Sequence, residues 1–270
     1  MTKQFEQNGT FQQIAVSQQT DIAWGDWTGD QCPTCTKLTD DLVTKLKGVQ
    51  HVTGVARQVY VGQFDALTYN GQKLRTQQMV AYDANGVISS AVLAGRDIQA
   101  SDTQGVVTLS SDYADKLGFK HNYSSLVGKT VTLSTRNYYS GVGSDPKKQQ
   151  EDMQAWFSAH PGADGRDYQP APVNLTATVV GITSASDQGF VIRVPLEWAR
   201  GMMEDQQYNV PADVMQAYQD KCRNARGPCG AQPQPVLTVT DELAKNGYSS
   251  LMVKVDQASN ASAVAKTIRN

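Results

Sequence analysis

The chain of 270 residues is poor in the side chains that most often carry chemistry, with three histidines and four cysteines. His51, His121 and His160 stand in unrelated contexts without ligand spacing, which argues against a histidine-rich metal centre. Nowhere do about 18 apolar residues run together, so no segment reads as a membrane span. Positive charge is not in excess. The 24 lysines and arginines face 26 acids, a net charge of -2, whereas a nucleic-acid binder would show a basic footprint. A phosphate-cradling Gly-x-x-x-x-Gly-Lys-Ser/Thr loop is missing, and so is a Gly-x-Ser-x-Gly nucleophile elbow. Gly141-Val142-Gly143 is a lone Gly-x-Gly in a polar loop. Asp40-Asp41 and Glu151-Asp152 read as solvated helix faces.

What is present suffices for a globular fold. Hydrophobic residues make up 40% and charged residues 19%, and the length suits two domains or one large one. The opening residues lack the apolar core of a signal peptide, and the last helical pattern runs on without a Gly or Pro stop, so both ends read as cut.

Hydrophobic periodicity places a strand at 11–16 and a helix at 36–47, with Leu38, Leu42, Val43 and Leu46 on one face and Gly48 as its stop. A strand at 51–64 completes a β–α–β start. Strands at 77–82 and 87–93 flank Asp83-Ala84-Asn85-Gly86, whose Asn-Gly predicts a hairpin. Further strands are expected at 106–110, 130–134, 174–182 and 189–194, with a short helix at 113–117. Pro195 and Pro211 each open a helix, to about 207 and about 221, before a Gly/Pro-rich loop at 223–235. A strand at 248–255 and a helix at 258–268 close the chain. An early βαβ and a late βα thus flank a mainly β centre, an α+β layout in which one domain is inserted into another.

Several runs, in their order and spacing, resemble the outer core domain of MacB/FtsX-type ABC transporter permeases. They are the strand-then-helix segment from Val106 to Gly118, the "VGK" turn of Leu126 to Leu133, the "VVG" strand of Leu175 to Ile182, and the "vPl" stretch of Phe190 to Ala199. Gly54-Val55 and Gly95-Arg96 match two smaller family features. The resemblance implies a ferredoxin-like porter unit from residues 1–63 and 246–270, with a mainly β, Sabre-like unit of residues 64–245 inserted. The domain would sit between transmembrane helices, on the periplasmic or extracellular side of the membrane. One departure is that no fourth porter strand follows the last helix.

A second departure is the stretch from Arg136 to Val173, where many relatives have a short turn. It carries a helix from about 146 to 158. Met153, Trp156 and Phe157 on that helix either dock on the sheet or, with Tyr138, Tyr139 and Tyr168, form a surface for a partner.

Cys32-Pro33-Thr34-Cys35 precedes a helix, an arrangement shared with thioredoxin-like redox proteins. Such a protein needs a buried apolar strand before the motif and a proline segment after it; 21–30 is polar, and no proline falls between Pro33 and Pro146. The cysteines of an exported domain read instead as structural disulfides. Local bridges Cys32–Cys35 and Cys222–Cys229 are favoured, with a bridge crossing between the two units as the alternative and a four-cysteine zinc site as a remote one.

The resemblance implies a non-catalytic domain without a cofactor. It would couple motion of its own transmembrane helices, driven by a separate ATP-binding subunit, to export or to an extracellular protein, peptide or lipid. A stand-alone exported binding protein or sensor of the same fold is the alternative, and a thiol oxidoreductase a weaker one. No nucleic-acid partner is expected.

Overall fold

The structure is a computed structural model that describes residues 12–17, 37–88, 90–136, 139–185, 189–224 and 230–269. In chain order its first strands are β1 (Gln13–Ser17), β2 (Val52–Tyr60), β3 (Phe64–Tyr69), β4 (Gln72–Arg75), β5 (Gln78–Tyr82) and β6 (Val92–Gly95). Then come β7 (Val106–Ser110), β8 (Thr130–Thr135), β9 (Asn174–Thr183), β10 (Val191–Pro195), β11 (Asp205–Asn209), β12 (Val236–Thr240) and β13 (Ser250–Val255). The α-helices are α1 (Asp40–Lys47), α2 (Ser111–Lys116), α3 (Pro146–Ala159), α4 (Leu196–Met202), α5 (Ala212–Asn224), α6 (Glu242–Asn246) and α7 (Ala261–Arg269).

Local chemistry sets the ends of α1. Thr39 caps it by accepting from the Leu42 N–H, Asp40 and Asp41 lie in its first turn, and Lys45 and Lys47 in its last. Val43 and Leu46 turn inward and pack the helix on β2. β13 lies between β1 and β2, antiparallel to both, so the two ends of the chain build one patch of sheet. The sheet continues without a break. Its order is β1-β13-β2-β5-β10-β7-β9-β8-β3-β4, with β6 added on β9. Leu67, Leu109, Leu133, Ile182, Ile192, Leu251 and Val253 are fully buried along it. Each stabilises the fold by about 1.5–3 kcal/mol relative to exposure. The architecture is mixed α+β, as the pattern of residues predicts.

Three expectations need correction. The strand predicted over 51–64 ends at Tyr60, and β3 starts anew at Phe64. The predicted hairpin around Asn85-Gly86 does not form: β5 pairs with β2 and β10, whereas β6 pairs with β9. The reason is local, because the Asn85 amide donates to the Val55 carbonyl (2.9 Å) and accepts from the Val87 N–H (3.2 Å), tying the turn to β2. The helix opened by Pro195 stops at Met202 once its apolar side (Leu196, Trp198, Ala199, Met202) is spent, and β11 follows. β11 pairs with β12, giving a separate two-stranded sheet whose second strand the periodicity did not announce.

The family-like motifs meet at one joint. Gly95 of β6 stands opposite Gly181 of β9, the Arg96 N–H donates to the Val180 carbonyl (2.9 Å), and the Gly128 N–H of the "VGK" turn donates to the Val179 carbonyl (2.8 Å). These residues build the sheet rather than a site.

Candidate functional site

Two places stand out, a charged clamp where β2 meets β5 and an apolar groove on the lobe built by α3, β11, β12 and α5.

The clamp centres on Arg57, on the half-buried side of β2. Its Nε and Nη2 donate to the two carboxylate oxygens of Asp83 at 2.8 and 2.7 Å, a forked pair. The backbones join as well: Arg57 N–H donates to Asp83 Oδ2 (2.8 Å) and Asp83 N–H to the Arg57 carbonyl (3.1 Å). Arg57 Nη1 also reaches Asp40 Oδ1 (3.0 Å) and the Tyr248 hydroxyl (3.2 Å), while Tyr248 donates to Asp40 (2.9 Å). The guanidinium lies 5.5 Å from the centre of the Tyr248 ring. Three other segments of the chain thus converge on one cation.

The electrostatics follow from these contacts. The hydrogen bonds to Asp83 raise the Arg57 pKa further, against the opposing effect of burial. Burial pushes Asp40 upward, but the bonds from Tyr248 and Arg57 outweigh it and hold the carboxyl below its usual range. Burial raises the Tyr248 phenol. Nearby, Arg200 of α4 donates to Asp241 (3.0 Å), which caps α6 through the Ala244 N–H. The charges here are paired with each other. Among the described residues no three His, Cys, Asp or Glu side chains gather as a metal site.

The groove has a volume of about 540 Å³ and lies between α3, the 168–170 segment, β11 and α5. Met153, Tyr168, Pro170, Tyr208, Met215 and Pro235 supply its apolar walls, glutamines fill the gaps, and among the described residues no Asp, Glu, Lys or Arg lines it. Asp145 caps α3 by accepting from the Lys148 N–H, and Pro146 opens it. The helix then packs on β11.

The sequence-predicted residues distribute unevenly. α3 docks on β11 of the small sheet rather than on the large one. Phe157 and Met153 are each 37% exposed, and Trp156 stacks on His160 with ring centres 4.5 Å apart. Tyr168 is buried in the groove wall. Tyr139 faces inward: its ring lies 5.7 Å from that of Phe64, its hydroxyl donates to the Val142 carbonyl, and burial raises its pKa. It braces the lobe from within and offers no surface. Tyr138, Cys32, Cys35 and Cys229 lie outside the described residues, and Cys222, half-buried on α5, carries no disulfide among those described. Asp40 is exposed, as expected of a solvated face, and from there also reaches the clamp. Arg57, Asp83 and Tyr248 escaped sequence reasoning; an arginine amid the valines of β2 was the one available signal.

Three solved structures are similar over nearly the whole chain. The periplasmic region of MacB from Actinobacillus actinomycetemcomitans shares 12% identity at a TM-score of 0.45, covering 98% of this chain and 83% of that one. The extracellular domain of the noncanonic ABC-type transporter YknZ from Gram-positive bacteria shares 13% at 0.41, covering 93% and 88%. A permease-protein domain from Porphyromonas gingivalis shares 11% at 0.43, covering 97% and 84%. No curated protein matches the chain. The family model of the MacB-like periplasmic core domain matches residues 1–270. The chain therefore belongs to the MacB-like periplasmic core domain family, the outer domain of ABC transporter permeases.

Proposed function

We propose that this domain is a non-catalytic transmission element. In the whole transporter its partners are its own transmembrane helices and a separate ATP-binding subunit. Residues 1–63 with 246–270 form the porter unit, and residues 64–245 form the inserted unit that meets cargo or an extracellular protein, peptide or lipid. The observation that carries this reading is the continuity of the sheet. β1 pairs with β13, β13 pairs with β2, and β2 pairs directly with β5 of the insert under the Arg57 clamp. A displacement applied at the chain ends has a hydrogen-bonded route into the insert. The groove beside α3 supplies a concave face lined by apolar and uncharged polar side chains among the described residues.

The experiment is made in the full-length permease. Met153→Glu combined with Phe157→Glu places charge on the exposed side of α3 without touching the clamp. Transport is expected to fall at least tenfold while ATP hydrolysis without cargo stays within about twofold. Undiminished transport would remove the α3 groove from the mechanism.

A further inference from the structure

The outer edge of β12 is built for a partner strand. The Gln206 N–H donates to the Ser140 carbonyl (3.0 Å), on the side of β11 that faces away from β12. Gln206 stands opposite Val239, and Tyr208 opposite Leu237. In an antiparallel ladder, hydrogen-bonded and non-hydrogen-bonded pairs alternate. Both of these pairs are therefore of the non-hydrogen-bonded kind. The N–H and C=O of Leu237 and Val239 point to the outer edge of β12, where no backbone bond among the described residues takes them. The side chains are bare too: Val236, Leu237 and Val239 are 47%, 56% and 53% exposed.

Edge strands are normally blunted by charge, proline or a bulge. The β4 edge of the large sheet follows that rule, since β4 carries Lys73 and Arg75. β12, Val-Leu-Thr-Val-Thr, has no charge and no proline, and it pairs with β11 without a register shift.

The strand is also complementary to itself. In an antiparallel pairing centred on Thr238, Leu237 of each copy faces Val239 of the other, and Val236 faces Thr240. Both outward-pointing residues of each strand then exchange N–H···O=C bonds, four in all. The acids that follow β12, Asp241 and Glu242, settle the direction. Antiparallel pairing places Asp241 against Pro235 and keeps the two Asp241 about 20 Å apart, at ~3.4 Å per residue. Parallel pairing would bring them to about 5 Å. We propose that two copies of this chain join edge to edge through β12, antiparallel about Thr238, in an isologous contact that merges two small sheets into one of four strands.

One strand pair is a small interface, well under the roughly 1,200 Å² of stable complexes, so association on the order of 0.1–1 mM is expected. Sedimentation of the chain from about 10 µM to about 1 mM tests it, that upper end being the effective concentration of tethered partners. The mass should rise from 29.3 kDa toward twice that value. Val239→Pro removes an outward N–H that β11 does not use, so it should abolish the rise with an unchanged circular-dichroism spectrum. Thr238→Cys should link two chains at position 238 under mild oxidation, by peptide mapping, while Thr240→Cys, about 14 Å from its counterpart, should not. A constant monomer mass to about 1 mM would overturn the proposal. So would association that survives Val239→Pro, or equal linkage by the two cysteine variants.

Discussion

Gly95 lies directly opposite Gly181 where β6 meets β9, and neither position has room for a methyl group. A Cβ on Gly181 would run into the Arg96 carbonyl, and one on Gly95 into the Val180 carbonyl. Both obstacles are backbone held in the sheet, so neither can yield as a flexible side chain would. Gly181→Ala should destabilise by roughly 2–4 kcal/mol. Gly62, with nothing within 4 Å of its Cβ position and no positive φ, is the control, and Gly62→Ala should be neutral or slightly stabilising. Urea unfolding reads both through the midpoint, at an unchanged m value.

The Arg96–Asp102 pair gives a pH signature. Two bonds of 2.6 and 2.9 Å from Arg96, and one from the Gln99 N–H, hold the Asp102 carboxyl below its usual range against the opposing effect of burial. A depressed carboxyl favours the folded state above its unfolded pKa of about 3.9, and this contribution is lost as pH falls through the lower folded value. Asp102→Asn should therefore lower Tm by roughly 2–4 °C at pH 7, given the partial exposure of Arg96. The gap should close as the pH drops below about 4. A gap that widened in acid would show the sign to be wrong.

The cysteines are expected to close locally. Peptide mapping without reductant should recover Cys32–Cys35 and Cys222–Cys229. The second loop is worth about 2.5 kcal/mol in the chain-entropy model. Cys222→Ser should cost that much under oxidising conditions and nothing in reductant. Recovery of a peptide joining Cys32 or Cys35 to Cys222 or Cys229 would establish the crossing connectivity instead.

Strands bounded by turn residues with one or both faces buried, such as β7, β9 and β13, could be read closely from sequence, because burial leaves an apolar signal at every position or every second one. α1 and α3 were legible from their caps and spacing. β11 and β12 were not: Asp205-Gln-Gln-Tyr-Asn has no apolar alternation, and it becomes a strand only because Val236–Thr240 pairs with it. Asn85-Gly86 misled for a related reason, its side-chain bond to Val55 being a tertiary contact that no local pattern encodes. The clamp was hidden in the same way. Arg57, Asp83, Asp40 and Tyr248 become neighbours only after β13 has placed the two chain ends beside each other, and single charges in a sequence do not reveal their partners.

In the proposed function the Arg57–Asp83 clamp couples the chain-end strands to the insert. Arg57→Ala in the full-length permease tests it, with cargo transport and cargo-free ATP hydrolysis measured on the same preparation and the fold checked by circular dichroism. Arg57→Lys, which keeps the charge but loses the fork, should be intermediate. The account predicts at least a tenfold loss of transport in Arg57→Ala with hydrolysis held within about twofold. Wild-type transport in a correctly folded Arg57→Ala protein would contradict it.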